Sequence, residues 1–209
     1  MTKKWVIFDV MGVIFEVGDD TNDLLVPYIK KLNNSISSEQ INELYIDASL
    51  GEITSSTFWE RLGFKNIYPE VEINYLDQCL TLDKEFTVIA EELKGKYNLA
   101  LLSNDVSEWS LYLRQKHNLN KFFQETVISG DVGFRKPSDE IYNILLERIE
   151  CNANDSVFID DRHKNLVPAM KLGMKGIKFN RKKIAVDGYK GFEIESFVQL
   201  PSILSKVFA

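Results

Sequence analysis

Cysteine is scarce in this chain. The two present, Cys79 and Cys151, lie far apart and show no C-x-x-C spacing, which argues against a disulfide framework or a thiolate zinc site and fits a reducing, cytoplasmic setting. Long apolar runs are also missing. No stretch reaches the ~18 residues of a membrane span, and the apolar segment behind the lysines of "MTKKWVIFDV" is too short for a signal peptide. Positive charge is in deficit: 25 Lys and Arg stand against 31 Asp and Glu, for a formal charge of −6. The two signs are interspersed, so nothing marks a nucleic acid or an anionic membrane as partner. Repeats and low-complexity tracts are absent. What remains is an ordinary globular composition, 44% apolar and 27% charged, in 209 residues, enough to bury one sizeable core without staples.

Four short apolar runs share a form: Trp5–Asp9 (WVIFD), Asn98–Asn104 (NLALLSN), Glu125–Asp131 (ETVISGD) and Ser156–Asp161 (SVFIDD). Each is continuous rather than alternating, as expected of strands covered on both faces, and each ends in polar residues. Helical patterns lie between them, over Lys84–Lys94, Ser107–His117, Ser138–Ile149 and His163–Leu172. Strand and helix in alternation predict right-handed crossovers and an α/β, Rossmann-like parallel sheet. The tail after Phe179 reads as a weak strand or loop and a final short helix.

The segment 18–82 breaks this rhythm. It reads as successive amphipathic helices, among them "TNDLLVPYIKKL", "SSEQINELYIDASLG" and "TSSTFWERLG", with Ser37 and Gln40 spaced as a capping box and Gly51 and Gly63 as terminators. A helical cap (18–82) inserted into a core of residues 1–17 and 83–209 is expected, acting as a lid. Phe58 and Trp59 belong to the interior of that cap.

In a parallel sheet, ligands bind beyond the carboxyl ends of the strands. Asp9 stands there as a candidate nucleophile or metal ligand, and the turn at Gly12 lets backbone approach an anion. Ser103 and Asn104 offer a hydroxyl and amide donors suited to a phosphate oxygen. Lys136, ahead of Pro137, supplies a point charge. Asp160 and Asp161 would repel each other and Asp9 unless a cation sat among them, and hard oxygen ligands point to magnesium. Singly, each of these residues reads as a cap or turn; their order along the chain is the signal. His117 and His163 read as a helix C-terminal and a helix N-terminal residue rather than as catalysts.

"WVIFDVMGVIF", "LALLSND", "GDVGFRKPSDEIY" and "VFIDDRHKNLVPAMKLGMKGI" resemble, in order and over nearly the whole chain, the four motifs of the haloacid dehalogenase-like hydrolases. The helical insert is similar to the cap of the subgroup whose cap lies between the first and second motifs. The resemblance implies that Asp9 attacks phosphorus to form an aspartyl-phosphate, that Ser103 binds the transferring group, and that Lys136 offsets charge. It implies Mg²⁺ held by Asp9, Asp161 and the backbone carbonyl of Met11, with Asp160 and Asn165 in support. The expected substrate is a small phosphorylated metabolite, handled by a monomer or homodimer. Charge neutralisation is required in any case, because a phosphoester dianion repels a carboxylate.

One departure stands out. Phosphatases of this family carry D-x-D in the first motif, and the second Asp moves the proton; here that position is Met11. Loss of such general acid-base help costs ~10²- to 10⁴-fold. Three readings follow: a phosphatase whose acid comes from water, substrate or another carboxylate such as Glu16 or Asp19; an attenuated binding or regulatory protein; or a 2-haloacid dehalogenase, against which the retained Asp160–Asp161 pair speaks. Phosphonate hydrolysis would need a cap lysine, for which Lys30 and Lys31 are available but read as solvated helix face.

Overall fold

The computed structural model describes residues 3–183, 189 and 191–209. Six strands form one sheet: β1 (Trp5–Phe8), β2 (Asn98–Ser103), β3 (Glu125–Ile128), β4 (Ser156–Asp160), β5 (Lys175–Phe179) and β6 (Phe192–Ile194). Their order is β3-β2-β1-β4-β5-β6 and every pairing is parallel. The chain leaves β1 toward β2 on one side and later returns to β4 on the other. A crevice therefore opens at the carboxyl end of β1, where an open sheet of this kind binds its ligands.

The pleat explains why β1 is apolar throughout. Val6 and Phe8 face one hydrophobic cluster and Ile7 faces another, and all three are fully buried. On one side Phe8 meets the edge of Phe86 with ring centroids 5.5 Å apart. On the other, Ile7 packs with Leu102, Val127, Tyr142 and Phe158.

The core helices are α5 (Lys84–Leu93), α6 (Ser107–Lys116), α7 (Ser129–Val132), α8 (Asp139–Arg148), α9 (His163–Lys171) and α10 (Leu200–Val207). The third apolar run is shorter than the sequence suggests, because β3 stops at Ile128 and Ser129–Val132 turns helical. β5 is additional to the four expected strands, and β6 lies in the tail expected as a weak strand or loop.

Between β1 and α5 the chain is helical: a π-helical turn (Thr21–Leu25) leads into α1 (Val26–Leu32), followed by α2 (Ser38–Ser49), α3 (Ser55–Arg61) and α4 (Glu70–Cys79). Ser37 caps α2 by accepting from the Gln40 amide at 3.1 Å, whereas a reciprocal capping box forms instead at Ser196 and Gln199. These helices share their hydrophobic cluster with one face of the sheet. Phe58 and Trp59 are fully buried and pack on Trp109 of α6, at 5.5 and 6.2 Å. Ser129 Oγ donates to the Ser49 carbonyl at 2.5 Å, and a side chain at Gly51 would overlap the Gly130 carbonyl. The helical layer is thus seated directly on the core. His117 is the C-cap of α6, as expected.

Candidate active site

Asp9 follows β1 and is held in register by its amide, which donates to the Ile159 carbonyl of β4 at 2.9 Å. Its Oδ1 accepts from the Val10 amide at 2.7 Å and lies 2.6 Å from Lys136 Nζ. Lys136 is a buried three-way junction. Its Nζ also donates to Asp160 Oδ2 at 2.9 Å and to the Leu102 carbonyl at 3.0 Å. The loop that carries it is clasped by Asn104, whose Nδ2 donates to the Lys136 carbonyl at 2.9 Å while its Oδ1 accepts from the Lys136 amide at 2.7 Å. Asn104 therefore positions the lysine, although its expected role was in binding substrate.

Asp160 is completely buried and fully engaged, since its Oδ1 also accepts from the Arg162 amide at 2.7 Å and both oxygens accept from Asn165 Nδ2 at 3.2 and 3.0 Å. Asn165 thus braces Asp160, not Asp161. Asp161 sits in a slot between two glycines, and a Cβ at either Gly12 or Gly18 would overlap its carboxylate. Gly12 has φ +83°, which a side chain would strain, and its amide donates to the Phe15 carbonyl at 2.8 Å. Gly12 accordingly makes room for Asp161, and its amide is engaged within the turn.

Asp9, Asp160 and Asp161 each offer one carboxylate oxygen, and the three oxygens lie within 4.8 Å of one another. Asp161 Oδ1 is buried without a hydrogen-bond partner. Such a set of hard oxygens, one of them unsatisfied, fits a divalent cation. Burial, followed by the charge of Asp160, raises the pKa of Asp9 well above the usual carboxylate range against the pull of Lys136. Burial and Asp160 likewise lift Asp161 to about 6. For Lys136 burial acts downward, but Asp160 and Asp9 outweigh it and raise its pKa.

A cavity of about 50 Å³ opens at Asp9. It is lined by Met11, Lys136 and Asn104 from the core and by Asp20, Thr21 and Tyr45 from the helical layer, with Arg135 and Arg162 at its sides. Ser103 is not part of this lining; it lies 1% exposed at the end of β2 with its Oγ unpartnered. A second cavity, of about 310 Å³, shares Gly18 and Arg162 and takes in Gly12, Glu16, Asp19, Asp161 and His163. The two acids named as stand-ins for the missing proton donor, Glu16 and Asp19, therefore face the larger space. Lys30 and Lys31, in the last turn of α1, line neither cavity.

Sequence reading alone did not reach Asp20, Tyr45, Arg135 or Arg162. The arginines do carry a signal, since each is the chain neighbour of an assigned residue, Lys136 or Asp161.

A family profile described as haloacid dehalogenase-like hydrolase matches residues 6–179. The sesquiterpene phosphatase astK of Aspergillus oryzae is 29% identical over 84% of this chain and 89% of its own. Among solved structures, a HAD family enzyme from Bacteroides thetaiotaomicron, crystallised with magnesium and inorganic phosphate, superposes with a TM-score of 0.72 at 19% identity over 88% of this chain and 97% of that one. A 2-haloacid dehalogenase from Pseudomonas syringae pv. Tomato superposes with a TM-score of 0.73 at 18% identity over the whole of both chains. Two chemistries share this architecture, so the fold does not choose between them. The match across 6–179, together with the sheet order described above, establishes that the chain belongs to the haloacid dehalogenase-like hydrolases.

Proposed function

We propose that this protein is a phosphatase that hydrolyses a small phosphomonoester through Asp9. The observation that carries the reading is the cavity at Asp9. At about 50 Å³ it is far below the ~300–1,000 Å³ of a pocket that encloses a whole ligand, so it suits a phosphoryl group and little else. Its walls supply the cations that such a group needs: Lys136 beside the attacking carboxylate, and the guanidinium groups of Arg135 and Arg162. In keeping with this, the A. oryzae relative is a phosphatase by name.

Asp9 attacks phosphorus and the bond to the leaving oxygen breaks, giving an aspartyl-phosphate; water then cleaves that intermediate to regenerate the carboxylate. Lys136 holds the charge on Asp9 and on the transferring oxygens, and Asn104 and Asp160 hold Lys136. Asp9 and Asp161, with the Met11 carbonyl, would hold Mg²⁺, which supplies charge neutralisation at the phosphoryl oxygens when bound. Asp160 is engaged by Lys136 and Asn165 and supports the site. The helices of residues 18–82 act as the cap, excluding water around the cavity through Thr21 and Tyr45.

The test is p-nitrophenyl phosphate with Mg²⁺, comparing the unaltered protein with Asp9→Asn. A loss of ~10³-fold or more in the variant is expected, whereas equal rates would overturn the assignment. Release of halide from a 2-haloacid in the presence of chelator would point to dehalogenation instead.

A further inference from the structure

If the site is a phosphatase, a proton donor is missing, because Met11 occupies the position next to Asp9 where a carboxylate would move the proton. Building on the phosphatase reading, we propose that Asp20 takes over this role from the cap side, as general acid toward the leaving oxygen and then as general base toward water.

Three features of Asp20 single it out from the other acids near the site. It lines the same small cavity as Asp9 and Met11, whereas Glu16 and Asp19 line the larger one. It is 7% exposed, so it is buried on the protein side with no face left for a solvating role. Its backbone is already helical, with φ −55° and ψ −34°, and its side chain makes no capping bond. The capping is done by Asp19, whose Oδ1 accepts from the Asn22 amide at 3.4 Å, so the Asp20 carboxyl is not needed to close the start of the turn. π-helical turns recur at functional sites, and this one brings Asp20 and Thr21 together over the cavity.

The electrostatics are consistent with this use. Burial raises Asp20 to about 6, with Arg162 and Arg135 pulling downward and Asp19 pushing upward. Tyr45 and Asp105, packed on the same side, are themselves held above their ordinary ranges by burial and by the charge of Asp20. A carboxyl near this value can exist in both protonation states around neutral pH, as a group that first gives and then takes a proton must.

The proton balance closes. Asp9 forms a bond to phosphorus as the bond to the leaving oxygen breaks, and the carboxyl proton of Asp20 passes to that oxygen, releasing an alcohol. The resulting Asp20 carboxylate takes a proton from the water that attacks the aspartyl-phosphate. Inorganic phosphate leaves, Asp9 is restored, and Asp20 is protonated again.

The experiment uses two substrates of similar size and different need for a proton. Benzyl phosphate leaves as an alkoxide unless protonated, while p-nitrophenyl phosphate leaves as a stable phenolate. With Mg²⁺ present, Asp20→Asn is expected to lower kcat/KM for benzyl phosphate by ~10²- to 10⁴-fold. For p-nitrophenyl phosphate the expected loss is under ~10-fold, with a burst of nitrophenolate as the aspartyl-phosphate accumulates behind the slowed second step. Equal losses on the two substrates without a burst, or no loss on either, would overturn the role of Asp20. Asp20→Ala, read by the same ratio, serves if the amide variant does not fold. Asp9→Asn separates the two levels of the claim. If it abolishes turnover while Asp20→Asn leaves both substrates untouched, only the Asp20 assignment falls. If the unaltered protein shows no Asp9-dependent turnover, the phosphatase reading fails and this one falls with it.

Discussion

Two of the places where the molecule buries acidic side chains solve the problem in opposite ways. Glu72, on α4, lies among aromatic rings where the helical layer meets the core, and its Oε2 accepts from the indole Nε1 of Trp59 at 2.8 Å and of Trp109 at 2.7 Å. One acid is closed off by two donors. At the strand ends, three carboxylates crowd around one lysine, Asp161 Oδ1 has no partner, and burial raises the pKa of Asp9, Asp20 and Asp161. Glu72 is raised by burial as well, but its indole donors pull it back. A buried acid whose donors match its oxygens holds a fold together; a buried acid left short of donors is held in readiness for something else.

The sharpest way to break this contrast is Lys136→Met. It removes the cation shared by Asp9 and Asp160, leaving two buried carboxylates uncompensated, so unfolding in denaturant is expected to show a loss of about 3–5 kcal/mol and turnover to fall ~10³-fold. Unchanged stability would mean that the site acids are balanced without it.

Next comes a gain. A carboxyl raised in the folded state, as Asp20 is from 3.8 to about 6, favours folding below its unfolded pKa, and that contribution is lost as pH rises through the folded value. Asp20→Asn cannot ionise, so at pH 8 the variant is expected to be more stable than the unaltered protein by up to about 3 kcal/mol, from 6 − 3.8 = 2.2 pKa steps at about 1.4 each. The difference should vanish near pH 4. A variant of equal or lower stability at pH 8 would place Asp20 with Glu72 as a satisfied acid.

Gly12→Ala sharpens the contrast from the side of the metal. The added Cβ displaces the Asp161 carboxylate from its slot, and Mg²⁺ affinity, followed by calorimetry, is expected to weaken ~10- to 100-fold. Affinity within twofold of the original would remove Asp161 from the ligand set. The smallest effect belongs to Glu72→Gln, which keeps one good acceptor for the two indoles. A loss of about 1 kcal/mol is expected, with kcat/KM unchanged. A large drop in turnover would tie the aromatic seam to catalysis.

The sequence made the strand-end chemistry readable, because a continuous apolar run that stops at a carboxylate needs no coordinates to be noticed. Asp9, Asp160 and Asp161 meet as those runs implied, and Lys136, read from its place ahead of Pro137, joins Asp9 and Asp160. β5 escaped notice because its sequence, KGIKF, carries Lys178 in the middle of a buried strand, which breaks the apolar pattern that gave away β1, β2 and β4. At three residues, β6 is too short to show any period. α4 was obscured for a related reason, since Glu72 stands on its buried face. The cap-side lining could not be reached from pattern alone. Asp20 and Tyr45 are 25 positions apart, and only the packing of α2 behind the π-helical turn brings them to one cavity.

The double amide clasp between Asn104 and Lys136 has a mechanical consequence. Both of its halves belong to the sheet side, so a swing of the helical layer away from the strands would carry off Asp20, Thr21 and Tyr45 while the ammonium group kept its post. Substrate admission and charge placement would then be governed by separate parts, and the door could be re-cut for a new guest without retuning the lock.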